Sequence, residues 1–153
     1  MRMTESDFAE QVIRFILTRE NEELGDLTIL KIARRLNISQ SHLYQIFQNE
    51  KKIPPGKFLM IAKMLRAAIL LEDSDNLSSI KVVSEKMGFS SSDYFTRIFK
   101  EHFGTTPGKY REYTRHRSLL TGKSSHTREN VTQKKNRSNR NEQQKYRQTG
   151  SGF

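Results

Sequence analysis

Arg97, Thr96 and Lys100 share a stretch with Ser92 and Asp93. Phe95, Ile98, Phe99 and Phe103 are interleaved with them, three and four residues apart. On a helix that spacing turns the apolar set inward and leaves Ser92, Asp93, Thr96, Arg97 and Lys100 outward. An arginine presented this way can donate two hydrogen bonds to guanine, threonine can contact a base edge, and lysine reaches phosphate. An earlier stretch offers a related set. There Leu43, Ile46 and Phe47 face inward, and Gln40, Ser41, Tyr44, Gln45 and Gln48 face outward. Glutamine can pair with adenine through two hydrogen bonds, and Tyr44 can meet a sugar or a thymine methyl. Lys51 and Lys52 follow the earlier stretch, and Lys109 and Arg111 the later one, as candidate phosphate contacts. One such face alone reads equally well as a solvated helix surface; two of the same kind point to a repeating partner.

The elements that must carry these faces repeat as well. Before the later stretch, Ile80, Val83, Ser84 and Met87 form one helical stripe. Gly88 stands where the helix must end, Phe89 plugs the turn, and Ser90 to Ser92 offer caps for the next helix. Gly104 and Pro107 close that helix. In the earlier copy Thr28 caps a stripe of Ile29, Ile32, Ala33 and Leu36, Asn37 occupies the turn, Ile38 plugs it, and Ser39 caps the reader helix. The first helices and turns align at a shift of 51 and the second helices at 52, so the later copy has gained one residue after its turn. Each copy is a helix-turn-helix.

Around the copies, Thr4 or Ser6 caps a first helix that ends near Thr18, with Phe8, Val12, Phe15 and Ile16 as its buried stripe. Glu20, Glu22, Glu23 and Asp26 read as an acidic loop. Pro54 and Pro55 open a long helix reaching Glu72. Phe58, Ile61, Ala62, Leu65, Ile69 and Leu70 or Leu71 form its expected apolar surface. Such a helix spans about 27 Å, which with the width of the lobes approaches the roughly 34 Å repeat of B-DNA. Asp73 to Asn76 breaks it, and Ser78 or Ser79 caps the helix of the later copy. The fold expected is all-α: a helix-turn-helix lobe over 1–53, a linker helix over 54–73, a second lobe over 74–114, and a basic tail over 115–153.

The chain carries a net charge of +10 with a pI near 10.0, a balance suited to a polyanion. The tail holds 10 Lys/Arg against 2 acids, whereas residues 1–114 hold 17 against 15. With so few large apolar residues the tail cannot offset its ordering entropy, and it reads as disordered and able to add phosphate attraction independent of sequence. There are no cysteines, which excludes thiol chemistry and cysteine-based zinc sites; with four scattered histidines and no tight carboxylate cluster, neither a metal site nor an enzyme is expected. His42 reads as a surface or capping histidine. No apolar run reaches a membrane span, and Met1 to Thr4 leads straight into an amphipathic helix, so a cytoplasmic protein without cofactor is expected.

Residues 28–111 resemble the DNA-binding domain of AraC/XylS-type transcription regulators from bacteria. The match is densest at Met87-Gly88-Phe89-Ser90, Tyr94-Phe95, Arg97-Ile98-Phe99-Lys100, Phe103-Gly104, Thr106-Pro107 and Tyr110-Arg111. Ser84, Asn37 and Lys52 depart from it, standing where the family prefers alanine, glycine and glycine. The resemblance implies two homeodomain-like helical bundles on a linker helix, double-stranded DNA as partner and two recognition helices in successive major grooves of one duplex. It also implies action as a monomer and activation through RNA polymerase. The alternative from composition is a protein that coats nucleic acid without sequence preference.

Overall fold

A computed structural model of the chain describes residues 4–73 and 75–121. Among the described residues there are eight helices and no strand: α1 Glu5–Leu17, α2 Asn21–Gly25, α3 Ile29–Arg35, α4 Gln40–Glu50, α5 Pro55–Glu72, α6 Ile80–Lys86, α7 Ser92–Phe103 and α8 Pro107–Thr121. The all-α expectation holds, and no helix among these residues is long and apolar enough to cross a membrane. Both lobes belong to one unit, Met1–Arg115.

The duplication read from the sequence is present in the backbone. Helices α3 and α6 begin and end 51 residues apart, and α4 and α7 begin 52 apart. Thr28, Ser39, Ser79 and Ser91 each accept a bond from the backbone N–H three residues on, satisfying donors that a helix start leaves open. Both first helices end alike. The Ile38 N–H donates to the Ala33 carbonyl and Asn37 to Arg34; 51 residues later Phe89 donates to Ser84 and Gly88 to Glu85. That pair of bonds needs a left-handed residue at the turn, and Asn37 (φ 56°) and Gly88 (φ 79°) supply it.

Each lobe closes on its own core. In the first, Val12 and Ile16 of α1 and Leu24 and Leu27 meet Ile32, Leu43 and Phe47. In the second, Val83, Met87, Phe89, Phe95 and Phe99 pack together, with ring centroids 5.4 Å apart for Phe89 and Phe95 and 5.8 Å for Phe95 and Phe99. Helix α5 joins both cores, and here the expected stripe is corrected. Leu65 and Ile69 are 51% and 60% exposed, whereas Leu59, Met64, Ala67, Ala68 and Leu71 are buried. One end of the helix (Phe58, Leu59, Ala62) serves the first core; the other (Met64, Ala67, Ala68, Leu71) serves the second on a rotated face. A single continuous stripe cannot describe a helix with two partners on different sides.

Two helices were not expected. The acidic stretch after Thr18 contains α2, with Leu24 buried in the first core. Pro107, read as a stop, is instead the first residue of α8, a position that suits proline. Tyr110 and Thr114 sit on the inner side of α8, and the Tyr110 hydroxyl donates to Glu72 at the end of α5. Helix α8 carries the chain seven residues past the tail boundary drawn at 115, to Thr121. The rest of the expected tail lies outside the described residues.

Candidate nucleic-acid interface

The outward set of α4 is where the spacing puts it. Leu43, Ile46 and Phe47 are buried, and Gln40, Ser41, Tyr44, Gln45 and Gln48 are exposed. Ser39 caps the helix through the His42 N–H at 3.1 Å, so this outward face begins directly at an ordered helix start. The Tyr44 hydroxyl lies toward α5, 3.5 Å from where a Cβ on Gly56 would stand. Lys52 is exposed and holds φ 58° at the helix exit, the backbone that glycine would supply at no steric cost. Lys51 is paired with Glu10 of α1. Its ammonium therefore ties two helices of the lobe together, and a phosphate would have to compete with that carboxylate.

On α7 the outward set is narrower than the spacing suggests. Asp93, Arg97 and Lys100 are exposed, Thr96 is half-buried, and Ser92 is half-buried with its Oγ 3.1 Å from the Ser84 Oγ. Ser84 is fully buried, and its hydroxyl also donates to the Lys81 carbonyl at 2.9 Å. The serine that replaces the usual alanine thus has partners for its polar group, one of which is Ser92. This takes Ser92 off the outward face.

Arg97 has a support that sequence reading left out. Its guanidinium carbon lies 5.2 Å from the centroid of the Tyr94 ring, within reach of a cation–π contact. Tyr94 is anchored in turn against Phe89, ring centroids 5.9 Å apart. The spacing of three between Tyr94 and Arg97 was the available signal. The result is a planar, charged donor placed beside an aromatic ring.

Lys109 is exposed on the first turns of α8, whereas Arg111 is half-buried. Its Nε and Nη2 are enclosed with no hydrogen-bond partner, and burial, aided by Arg115, pushes its pKa below the ordinary arginine range. A guanidinium so placed is a positive charge behind the surface more than a free phosphate fork. No group of three or more His, Cys, Asp or Glu among the described residues is arranged to hold a metal.

A helix-turn-helix domain family model matches residues 32–113. The chain is 38% identical over 107 residues to the probable transcription factor PqrA of Proteus vulgaris, an alignment covering 68% of this chain and 86% of that protein. It is 37% identical over 86 residues to the transcriptional activator AggR of Escherichia coli, covering 56% of this chain and 31% of AggR. The chain spans under a third of the length of several curated relatives it matches. Among solved structures, the DNA-binding domain of the global transcriptional factor AdpA in complex with a target DNA superposes with a TM-score of 0.60 at 26% identity. That match covers 71% of this chain and 94% of the other.

Proposed function

From its place in the AraC/XylS family of helix-turn-helix DNA-binding transcription regulators, to which this chain belongs, we propose that it reads one operator with α4 and α7 set in successive major grooves. The observation that carries this reading is the repeated backbone: two reader helices, each begun by a serine cap and each preceded by the same doubly bonded left-handed turn. A solvated surface needs no such repetition, whereas duplex DNA presents equivalent grooves at a fixed interval.

In this reading Arg97 is the principal base reader of the second lobe and Gln45 its counterpart in the first. Gln40, Ser41, Tyr44, Gln48, Asp93 and Thr96 line the same faces. Lys52, Lys100 and Lys109 hold phosphate, with Lys51 available if it leaves Glu10. The protein acts as a monomer on its site and as an activator through contact with RNA polymerase. AggR, a similar chain, is named an activator, which supports that sign of regulation.

Selection of binding sites from random duplexes tests the reading. The wild type is expected to enrich one motif with two blocks about a helical turn apart. Arg97→Ala should cost about 1–3 kcal/mol and relax the preference at one base pair of one block. An unstructured pool, competed away by bulk genomic DNA, would replace this reading with a coating protein that lacks sequence preference.

A further inference from the structure

We propose that α2 is a clasp that fixes the pitch between the two reader helices, with Lys63 as its positioning residue. The proposal deepens the two-groove reading and rests on it for its consequence on DNA. The clasp itself is a property of the free protein.

Helix α2 is anchored in the first lobe by Leu24, 1% exposed, with Leu27 just beyond it in the same core. The linker helix holds it from one side through two cations. Arg66 donates from Nη1 to Asn21 Oδ1 at 3.2 Å and from Nη2 to the Leu17 carbonyl at 3.4 Å. The Lys63 Nζ donates to the Gly25 carbonyl at 2.8 Å. On its other side α2 meets the second lobe backbone to backbone. A Cβ on Gly25 would stand 2.0 Å from the Lys86 carbonyl oxygen and 3.2 Å from the Gly88 nitrogen; a Cβ on Gly88 would stand 2.1 Å from the Gly25 carbonyl oxygen.

The two glycines answer different demands. Gly88 needs to be glycine for its φ of 79° alone. Gly25 holds no left-handed conformation, so nothing in its own backbone calls for glycine, and within a helix alanine would be favoured over it. Its bare Cα is required by the second lobe. The Lys63 ammonium lies at this junction, 3.3 Å from the Cβ position of Gly88. Burial holds its pKa below the ordinary lysine range, with Asp26 favouring the charge and Lys31 opposing it.

Mechanically the contact converts a rod into a triangle. Helix α5, packed into both cores, is one connection between the lobes. Helices α2, α5 and α6 touch one another pairwise, which adds a second connection between the lobes. The separation and relative twist of α4 and α7 are then set by the fold rather than by the DNA.

The test uses the absence of cysteine from the chain. Nitroxide labels at Arg34→Cys and Glu101→Cys, both exposed positions and one in each lobe, report the inter-lobe distance by double electron–electron resonance. The full chain should give one narrow distribution. Gly25→Ala should displace or broaden it, because neither backbone can yield. Lys63→Met, which keeps the side-chain stem, should broaden it without requiring any clash. Distributions from both variants that superimpose on the unsubstituted one would overturn the clasp; should Gly25→Ala not fold, Lys63→Met alone decides. On DNA, both variants should lower the preference for the selected block spacing over one a base pair longer, by about fivefold. A wild type indifferent to spacing, combined with shifted distributions in the variants, would remove the two-groove reading and leave the clasp standing.

Discussion

At Lys52 the chain turns through φ 58°, a conformation in which any side chain crowds the following carbonyl. The residue is exposed, so its place on the surface costs little while its backbone is strained. Two roles separate here. Lys52→Gly should raise unfolding stability by about 0.5–1 kcal/mol in denaturant titration, the relief of the left-handed penalty less the added freedom of the unfolded chain. The same change should weaken binding evenly across DNA sequences if, as proposed, the Lys52 charge meets phosphate. Lower stability, or a loss limited to one operator, would contradict that division. Other residues show where local sequence suffices and where it does not. Asn37 and Gly88 were legible because the turn dictates them from their immediate neighbours. Ser92 was not, because its hydroxyl is engaged by Ser84 across the turn. Lys51 was not either, because Glu10, its partner, lies 41 residues away.

Element by element, the caps were the most readable feature, since a hydroxyl before an apolar stripe satisfies donors only three residues away. Helix α1 illustrates their pH dependence. The Asp7 carboxylate accepts from the Thr4 N–H at 3.0 Å and from the Thr4 Oγ1 at 2.8 Å, and these two bonds hold its pKa below the ordinary aspartate range. Because the folded value is depressed, the contribution is fully present above the unfolded value of about 3.9. It is lost as pH falls through the folded one. Backbone chemical shifts of Glu5, Ser6, Asp7 and Phe8 should therefore move away from helical values in acid, and Asp7→Asn should flatten that response. A wild-type titration no different from that of the variant would count against these Asp7–Thr4 bonds. The elements that escaped reading share a cause. Helix α2 has too few residues to show a period, and its acidic composition looks like a loop. Helix α8 begins on a proline that serves equally as a stop or a start. Leu65 and Ile69 continued the stripe of Phe58 and Ile61, but α5 changes partner midway and the burial follows the partner.

At the scale of the molecule, the duplication and its one-residue offset were legible because each copy carries its own apolar spacing and punctuation. The pose of one copy against the other was not, for it depends on a close contact between Gly25 and the turn at Gly88 that no periodicity records. The lobes gain a fixed relation from α5 and α2 together, and that relation is what would let two weak faces, one of them without arginine, act as a single reader. Charge enters at this scale too. The net +10 sits mostly in residues 115–153; in the proposed reading it would add attraction to any duplex, with discrimination left to α4 and α7. Hydroxyl-radical footprinting of the wild type on its selected operator bears most directly on the account. Two protected windows on one face of the duplex, about one helical turn apart, are the predicted result. Protection of a single window, with the second lobe leaving no trace, would contradict it.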